Sequence, residues 1–277
     1  KVKLVDVDPK TCCIDTKKIE NAITSKTKAI MPVHLYGISC EMEEILEIAD
    51  KYNLKIIEDA AQGIGVSYKN KHVGNFGDFG ILSYYGNKTI TTGEGGVILC
   101  KKESDRDKIY MLKNHGRLKK GTFIHESLGW NFSFTEMQAA IGLAQMKKLD
   151  FIIKKKQMIF DKYQTSLKNN LLKMREIPKS TSNPVHWLSN IICDDAGKLS
   201  DYLKDHKIPS RRIFYPLNKQ PCLKENKDVI KKRGFLGKED NFAGSEIVFN
   251  KILSLPSSVY LDDEQTEYII KTLNNYN

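Results

Sequence analysis

Two side chains in this sequence stand where they could do covalent chemistry together. Lys88 lies in Ser83-Tyr-Tyr-Gly-Asn-Lys-Thr-Ile-Thr-Thr-Gly-Glu-Gly-Gly96, a glycine-rich loop between two apolar, strand-like runs. Upstream, the strand-like Leu54-Lys-Ile-Ile57 leads into Glu58-Asp59-Ala-Ala-Gln62. A lysine amine can form a Schiff base with a carbonyl, and a carboxylate can hold a protonated ring nitrogen. The chain has 44 Lys+Arg, so a lysine by itself carries no weight. The loop around Lys88 and the strand-end position of Asp59 are what single them out. Asp59 is equally suited to capping a helix that follows its strand.

The elements that must position this pair alternate. Val2–Val7 reads as a strand, Asp15–Ala22 as a helix with Asp15 as N-cap, and Lys28–His34 as the next strand. Cys40–Tyr52 places Met42, Ile45, Leu46, Ile48 and Ala49 at helical spacing. Strands are predicted at Lys55–Glu58, Gly80–Ser83 and Gly96–Cys100. Strands separated by helices imply an α/β fold with a mainly parallel sheet, whose ligands gather at the carboxyl ends of strands. Ser104–Asn114 reads as a helix stopped near Gly116, and Thr135–Asp150 as a helix capped by Thr135. A lysine-rich helix follows over Phe151–Leu172, with Lys154-Lys-Lys156 assigned to its wet side. Residues 178–184, rich in Pro, Ser and Thr, read as a linker, and strands are expected near His186–Cys193 and Ile208–Phe214. The expected division is a large domain over residues 1–150 and a smaller α/β domain over 151–277.

Bulk properties narrow the class. The 277 residues are 40% hydrophobic and 28% charged, ordinary for a globular protein. The net charge of +10 comes from scattered lysines, which read as solvated faces and not as a nucleic-acid surface. No apolar run is long enough to span a membrane, so neither nucleic acid nor membrane is an expected partner. The six cysteines show no C-x-x-C or His/Cys ligand spacing, which points to reduced thiols, no metal and a cytoplasmic setting. The chain opens at Lys1 and runs straight into a strand-like segment, as an excerpt of a longer protein would.

The ordered motifs Asp59-Ala-Ala-Gln62, Ser83-Tyr-Tyr-Gly-Asn-Lys88 and Thr92-Gly-Glu-Gly-Gly96 resemble the DegT/DnrJ/EryC1/StrS family of sugar aminotransferases. Met31-Pro-Val-His-Leu-Tyr-Gly37, Lys113-Asn-His-Gly116, Gly129-Trp-Asn-Phe132 and Gln138-Ala-Ala-Ile-Gly-Leu-Ala-Gln145 agree with it. The Gly86–Gly96 wording is closest to the GDP-perosamine synthase branch. The resemblance spans nearly the whole chain, densest from Ala29 to Asp150. It implies the aspartate-aminotransferase-type fold, pyridoxal 5'-phosphate as cofactor, and a homodimer with a shared active site. The implied reaction moves an amino group from L-glutamate to a nucleotide-linked 4-keto-6-deoxy sugar.

The resemblance also implies roles residue by residue. Lys88 falls where the family lysine holds the cofactor and then carries the proton. Asp59 falls where the family carboxylate pairs with the pyridinium nitrogen, and Gln62 near the ring's phenolic oxygen; the perosamine branch often has Glu at Gln62. Ser83 falls at a phosphate-binding hydroxyl, against the alternative of a strand-end serine satisfied by its own backbone. Asn131 falls where the family asparagine reaches the neighbouring subunit's phosphate, against the alternative of a turn asparagine. The family usually has Tyr-Arg next; Phe132-Ser133 stand there instead. Arg211 matches a substrate-side arginine suited to phosphates, though the family often has Pro at Arg212, and an exposed basic pair is the alternative. His115 borders the substrate on this reading, as does His125, while His34 packs at a strand end. A related sugar 3-dehydratase branch carries histidine in place of Lys88, so Lys88 favours amino transfer. A small-residue phosphate loop and a ring-stacking aromatic of the family precede Lys1, which leaves a cofactor-poor binding or scaffold protein as the rival reading.

Overall fold

The apolar runs of the first half form a four-stranded sheet whose carboxyl edge carries Asp59. The computed structural model describes residues 2–119, 121–224 and 241–277. The first half contains α1 (Thr16–Ala22), β1 (Ala29–Ile30), α2 (Met42–Lys51), β2 (Lys55–Asp59), β3 (Ser67–Tyr68), β4 (Lys71–His72), β5 (Phe79–Ser83), β6 (Gly96–Cys100), α3 (Glu103–Lys113) and α4 (Glu136–Met146). The sheet order is β1-β2-β5-β6. β1, β2 and β5 run parallel, and β6 closes the edge antiparallel to β5. α2 buries Met42, Ile45 and Ala49, with Glu43 and Glu44 in its first turn and Lys51 in its last, as the helix dipole favours. Its apolar stripe joins Ile30, Ile56, Val66 and Val73 in one core.

The second half begins on α5 (Leu149–Ser166) and continues through β7 (Lys173–Met174), β8 (Thr181–Asn183), β9 (Ser189–Ile192), α6 (Ala196–Asp205), β10 (Arg211–Arg212), α7 (Pro221–Lys224), α8 (Ala243–Lys251), β11 (Ile252–Leu255) and α9 (Asp263–Asn274). Its antiparallel sheet, β10-β11-β9-β7, packs Ile191, Leu253 and Leu255 against Phe160, Tyr163, Leu199 and Ile269 of the helices. Asp195 caps α6, and Asp262 with Gln265 forms a capping box on α9.

Several expectations hold, among them the cap at Asp15, the α2 stripe, and the strands around Glu58, Ser83 and Cys100. Others need correction. Val2–Val7 is no strand: only Val7 makes a bridge, to Ile14. Asp6 instead turns inward, accepting from the Gly244 and Ser245 amides and from Lys18 Nζ, so side-chain bonds hold this segment in place of a ladder. The strand expected over Lys28–His34 shortens to two residues, because Pro32 has no N–H to give. The helix expected over Thr135–Asp150 breaks at Lys147–Lys148; α5 then starts at Leu149 and ends at Ser166, short of Leu172. The linker-like segment contains β8, which pairs with β3 in a small sheet with β4 and so ties the second half to the first. Finally, Lys156 is not on the wet side of α5 but buried.

Glu58 and Asp59 are adjacent on β2 and so point to opposite faces. The Glu58 side chain is fully buried and accepts from His34 Nε2 at 3.0 Å and from the amides of Gly74, Phe76 and Gly77 at 2.6–2.7 Å. His34 Nδ1 accepts the Cys40 amide, so the ring proton sits on Nε2 and faces the carboxylate. Burial pushes the Glu58 carboxyl up, but His34 and the Gly77 and Gly74 amides outweigh it and leave it below the usual 4.5. Its stabilisation is therefore complete above pH 4.5 and is lost as pH falls through the lower folded value. Glu58→Gln is expected to cost about 3 kcal/mol or more at pH 7, by urea denaturation, and to flatten the loss of stability below pH 4.5.

Candidate active site

Lys88 sits just past β5 on a loop whose backbone is closed on itself. Tyr84 N donates to Gly95 O, Thr92 N to Tyr84 O and Lys88 N to Tyr85 O. Lys88 is half-buried, and its Nζ lies 4.7 Å from the centroid of the Trp187 ring. Trp187 Nε1 donates to Asn87 O at 2.6 Å, so the indole both walls the amine and pins the loop that carries it. Burial lowers the proton affinity of Lys88 below the usual 10.5; the Asp59 carboxylate opposes this and the Arg211 guanidinium adds to it. Asp59 and Arg211 are thus the charges that act on Lys88, and the structure brings these three predicted residues together. Arg211 is exposed on β10 and stands over the Phe214 ring.

Gln62 is buried beside the end of β2, where its Oε1 accepts the Tyr36 amide at 2.7 Å. That leaves its amide N–H groups over. Asp59 Oδ1 accepts from Ala61 N at 3.0 Å, and no hydrogen bond to its other oxygen is found among the described residues. Asp59 therefore makes the turn contact that a capping aspartate makes while keeping one oxygen for another partner. Ser83 ends β5 and accepts the Tyr85 amide at 3.3 Å, keeping its hydroxyl proton to donate.

Asn131 and His115 lie elsewhere. Asn131 is exposed and forms an isolated bridge with Asn114. His115 adopts a left-handed conformation (φ 59°), donates its amide to Trp130 O, and gives its own carbonyl to His125 Nδ1. Among the described residues no hydrogen bond or ring contact links Asn131 or His115 to Lys88, Asp59, Gln62 or Ser83. His34, buried against Glu58, is a structural residue on the opposite side of β2 from Asp59.

Tyr36 and Trp187 join the two halves at this site. Tyr36 (φ 55°) stacks between Trp187 and Phe214, and its hydroxyl accepts the Phe214 amide at 3.0 Å. Gly37 (φ +77°) permits the approach: a Cβ there would lie 1.5 Å from Val185 O. Beside Trp187 a recess of about 380 Å³ is lined by Asn87, Trp187, Arg211, Ser210, Ser254 and Lys156. A larger hollow of about 480 Å³, between α5 and α9, is lined by Lys162, Glu267 and Lys271 and touches none of the residues above. The smaller recess shares Trp187 and Arg211 with the surroundings of Lys88, whereas the larger hollow shares nothing with them. Trp187 and Lys156 were not legible as site residues. The readable signal for Lys156 was its position four residues after Ile152 and three before Ile159, on the apolar stripe of α5.

The sequence profile of the DegT/DnrJ/EryC1/StrS aminotransferase family matches residues 1–274. The GDP-perosamine synthase of Escherichia coli O157:H7 is 35% identical over 278 residues, covering 98% of this chain and 72% of that protein. The dTDP-4-amino-4,6-dideoxy-D-glucose transaminase of Shigella dysenteriae is 34% identical over 274 residues, 97% of this chain and 72% of its own. The crystal structure of a DegT DnrJ EryC1 StrS aminotransferase from Brucella abortus superposes with a TM-score of 0.86 at 28% identity, over 97% of this chain and 71% of that one.

The two charges acting on Lys88 have opposite signs, and so do the effects of removing them. Asp59→Asn is expected to lower the pH at which the amine becomes reactive, and Arg211→Met to raise it. The pH dependence of Lys88 acylation, followed by mass spectrometry of its peptide, measures both.

Proposed function

The chain belongs to the DegT/DnrJ/EryC1/StrS aminotransferase family, and on that premise we propose that it moves an amino group from L-glutamate to a nucleotide-linked 4-keto-6-deoxy sugar at the Lys88–Asp59 site. Enzymes of this family are pyridoxal phosphate-dependent aminotransferases. The observation that carries the reading is Lys88 itself, an amine of lowered proton affinity lodged against Trp187 within the field of Asp59.

The residues present fit the cofactor's chemistry. They offer an amine for a carbonyl, a carboxylate with one uncommitted oxygen for a ring N–H, a spare amide donor at Gln62 for a phenolate oxygen, and the Ser83 hydroxyl for a phosphate. Bound there, pyridoxal phosphate supplies an electron-accepting ring that stabilises negative charge at the substrate carbon. On this proposal Asp59 would keep a proton on the ring nitrogen, and Lys88 Nζ would hold the cofactor until the amino donor displaces it, its freed amine then moving a proton at the substrate carbon. Lowered proton affinity raises the fraction of Lys88 that is neutral and therefore nucleophilic. Trp187 keeps water from one side of that amine. Arg211, exposed at the mouth of the recess, meets the nucleotide's phosphates, while His115, apart from Lys88 within this chain, would border a sugar bound in the neighbouring subunit's site.

The proposed homodimer rests on a second observation. Among the described residues, large apolar side chains are concentrated on the surface of residues 118–146. Phe123, Leu128, Phe132 and Met137 are each more than 70% exposed, and α4 buries none of its residues. A face of this kind marks an interface, and Asn131 stands within it. A second copy covering that face would carry Asn131 toward the partner's phosphate site. The division into a cofactor-binding half, residues 1–150, and a smaller half, 151–277, and a cytoplasmic location belong to the same reading.

Adding pyridoxal 5'-phosphate is expected to produce a near-visible absorbance band that borohydride reduction removes and that Lys88→Ala lacks. A band of equal intensity in Lys88→Ala would sink the proposal. For the shared site, mixed Lys88→Ala and Asn131→Ala subunits are expected to regain about a quarter of the wild-type sites, since half of randomly paired dimers are hybrids with one intact site each. Absence of any recovery, with hybrids verified by native mass spectrometry, argues against the cross-subunit contact.

A further inference from the structure

Lys156 is 8% exposed, inside the apolar stripe of α5. Its Nζ donates to Trp187 O at 3.1 Å and to Ser257 O at 2.9 Å. Both acceptors lie on irregular backbone, one between β8 and β9 and one beyond β11, where no strand partner supplies a donor. No carboxylate pairs with this ammonium among the described residues, and burial alone pushes its pKa down to about 8. A leucine or methionine would fill the same space without the cost of desolvating a charge. The ammonium supplies what they lack, two donors that hold two separate carbonyls at one point. One of those carbonyls belongs to Trp187, whose Nε1 reaches Asn87 O at 2.6 Å and whose ring stands 4.7 Å from Lys88 Nζ.

We propose that Lys156 is a positioning residue for Lys88: it fixes Trp187 by its carbonyl, and Trp187 fixes the Lys88 loop by its indole N–H while shielding the amine with its ring. This rests on the reading of Lys88 as the cofactor-attaching residue, but the contact chain exists whether or not cofactor is bound. Lys156 acts here through Trp187 and touches no reacting atom. Were the tie cut, Trp187 would settle less closely on the loop, water would reach Lys88 Nζ, and the desolvation that lowers its proton affinity would weaken. The charged groups that face Lys88, Asp59 and Arg211, are untouched by the change.

The test uses the full chain, freed of carbonyl compounds with hydroxylamine. Lys88 acylation by acetic anhydride is followed against pH by mass spectrometry, with exposed Lys26 as internal standard. Lys156→Met, which keeps the stem and removes the donors, is expected to shift the Lys88 profile upward, leaving about a third of the parent's neutral amine at pH 8. Trp187→Phe, which keeps a ring but removes the indole N–H, shifts it the same way. The double variant goes no further than the larger single shift, because both cut one path. Lys156→Arg, which keeps donors, retains most of the parent profile. In a Trp130→Phe background Trp187 is the only tryptophan, and its emission moves to the red in Lys156→Met. A Lys156→Met profile that superimposes on the parent, or fully additive shifts in the double variant, overturns the proposal. Should Lys156→Met not fold, Lys156→Gln and Trp187→Phe carry the same comparison. A shifted profile without any Lys88-dependent chromophore would sink the cofactor reading and leave this one standing, while a chromophore with an unmoved profile does the reverse.

Discussion

The Glu58 carboxylate organises the edge on which the site is built. A fully buried anion is expensive unless its oxygens are filled, and here three amides and one imidazole N–H fill them. The amides come from residues 74–77, the turn that leads into β5, and the imidazole from the end of the chain beyond β1. One side chain on β2 thereby ties down the exit from β1 and the entry to β5, the strands on either side of it. Asp59, its sequence neighbour, points the other way with its backbone already held by Pro32 and His34. The carboxylate that meets the site is rigid because the adjacent carboxylate is not available to solvent.

Such an arrangement explains which parts could be read from the chain. The strand ending at Asp59 and the loop carrying Lys88 could be read because their setting is local: a strand end, a glycine-rich run, a short spacing. The antiparallel entry of β6 and the burial of Lys156 could not, since each depends on which distant residue lies opposite. Lys154-Lys155-Lys156 looks uniform as a string, yet only the third falls on the stripe shared with Ile152, Ile159 and Tyr163. The failed strand at Val2–Val7 has the same origin. Apolar alternation licenses a strand only where a partner edge is free to pair with it, and the buried Asp6 binds the start of α8 instead.

The site's two halves also differ in their chemistry. The first half brings the groups that suit a phosphorylated ring: an amine, a carboxylate, an amide and a hydroxyl. The second brings walls and cations: Trp187, Lys156 and Arg211, around a recess of about 380 Å³. The two enzyme relatives are named for GDP- and dTDP-linked sugars, and the residues that choose between such ligands are set by a pocket in which a single contact alters preference. Arg212 is not one of them on this geometry: it donates to Phe249 O, stacks on that ring, and turns away from Arg211 toward α6.

The bond from Trp187 to Asn87 spans 100 residues of sequence, and that from Lys156 to Ser257 another 101. Closing loops of such length carries an entropic cost, and contacts of this range slow folding. During synthesis, then, Lys88 emerges early as an ordinary, protonated, water-facing lysine. Trp187, whose ring stands against its amine, and Ser257, which shares the Lys156 ammonium with Trp187, are made only later. Lys88 and the ring that walls it thus enter the fold from the two halves of the chain, and neither half alone presents the walled amine.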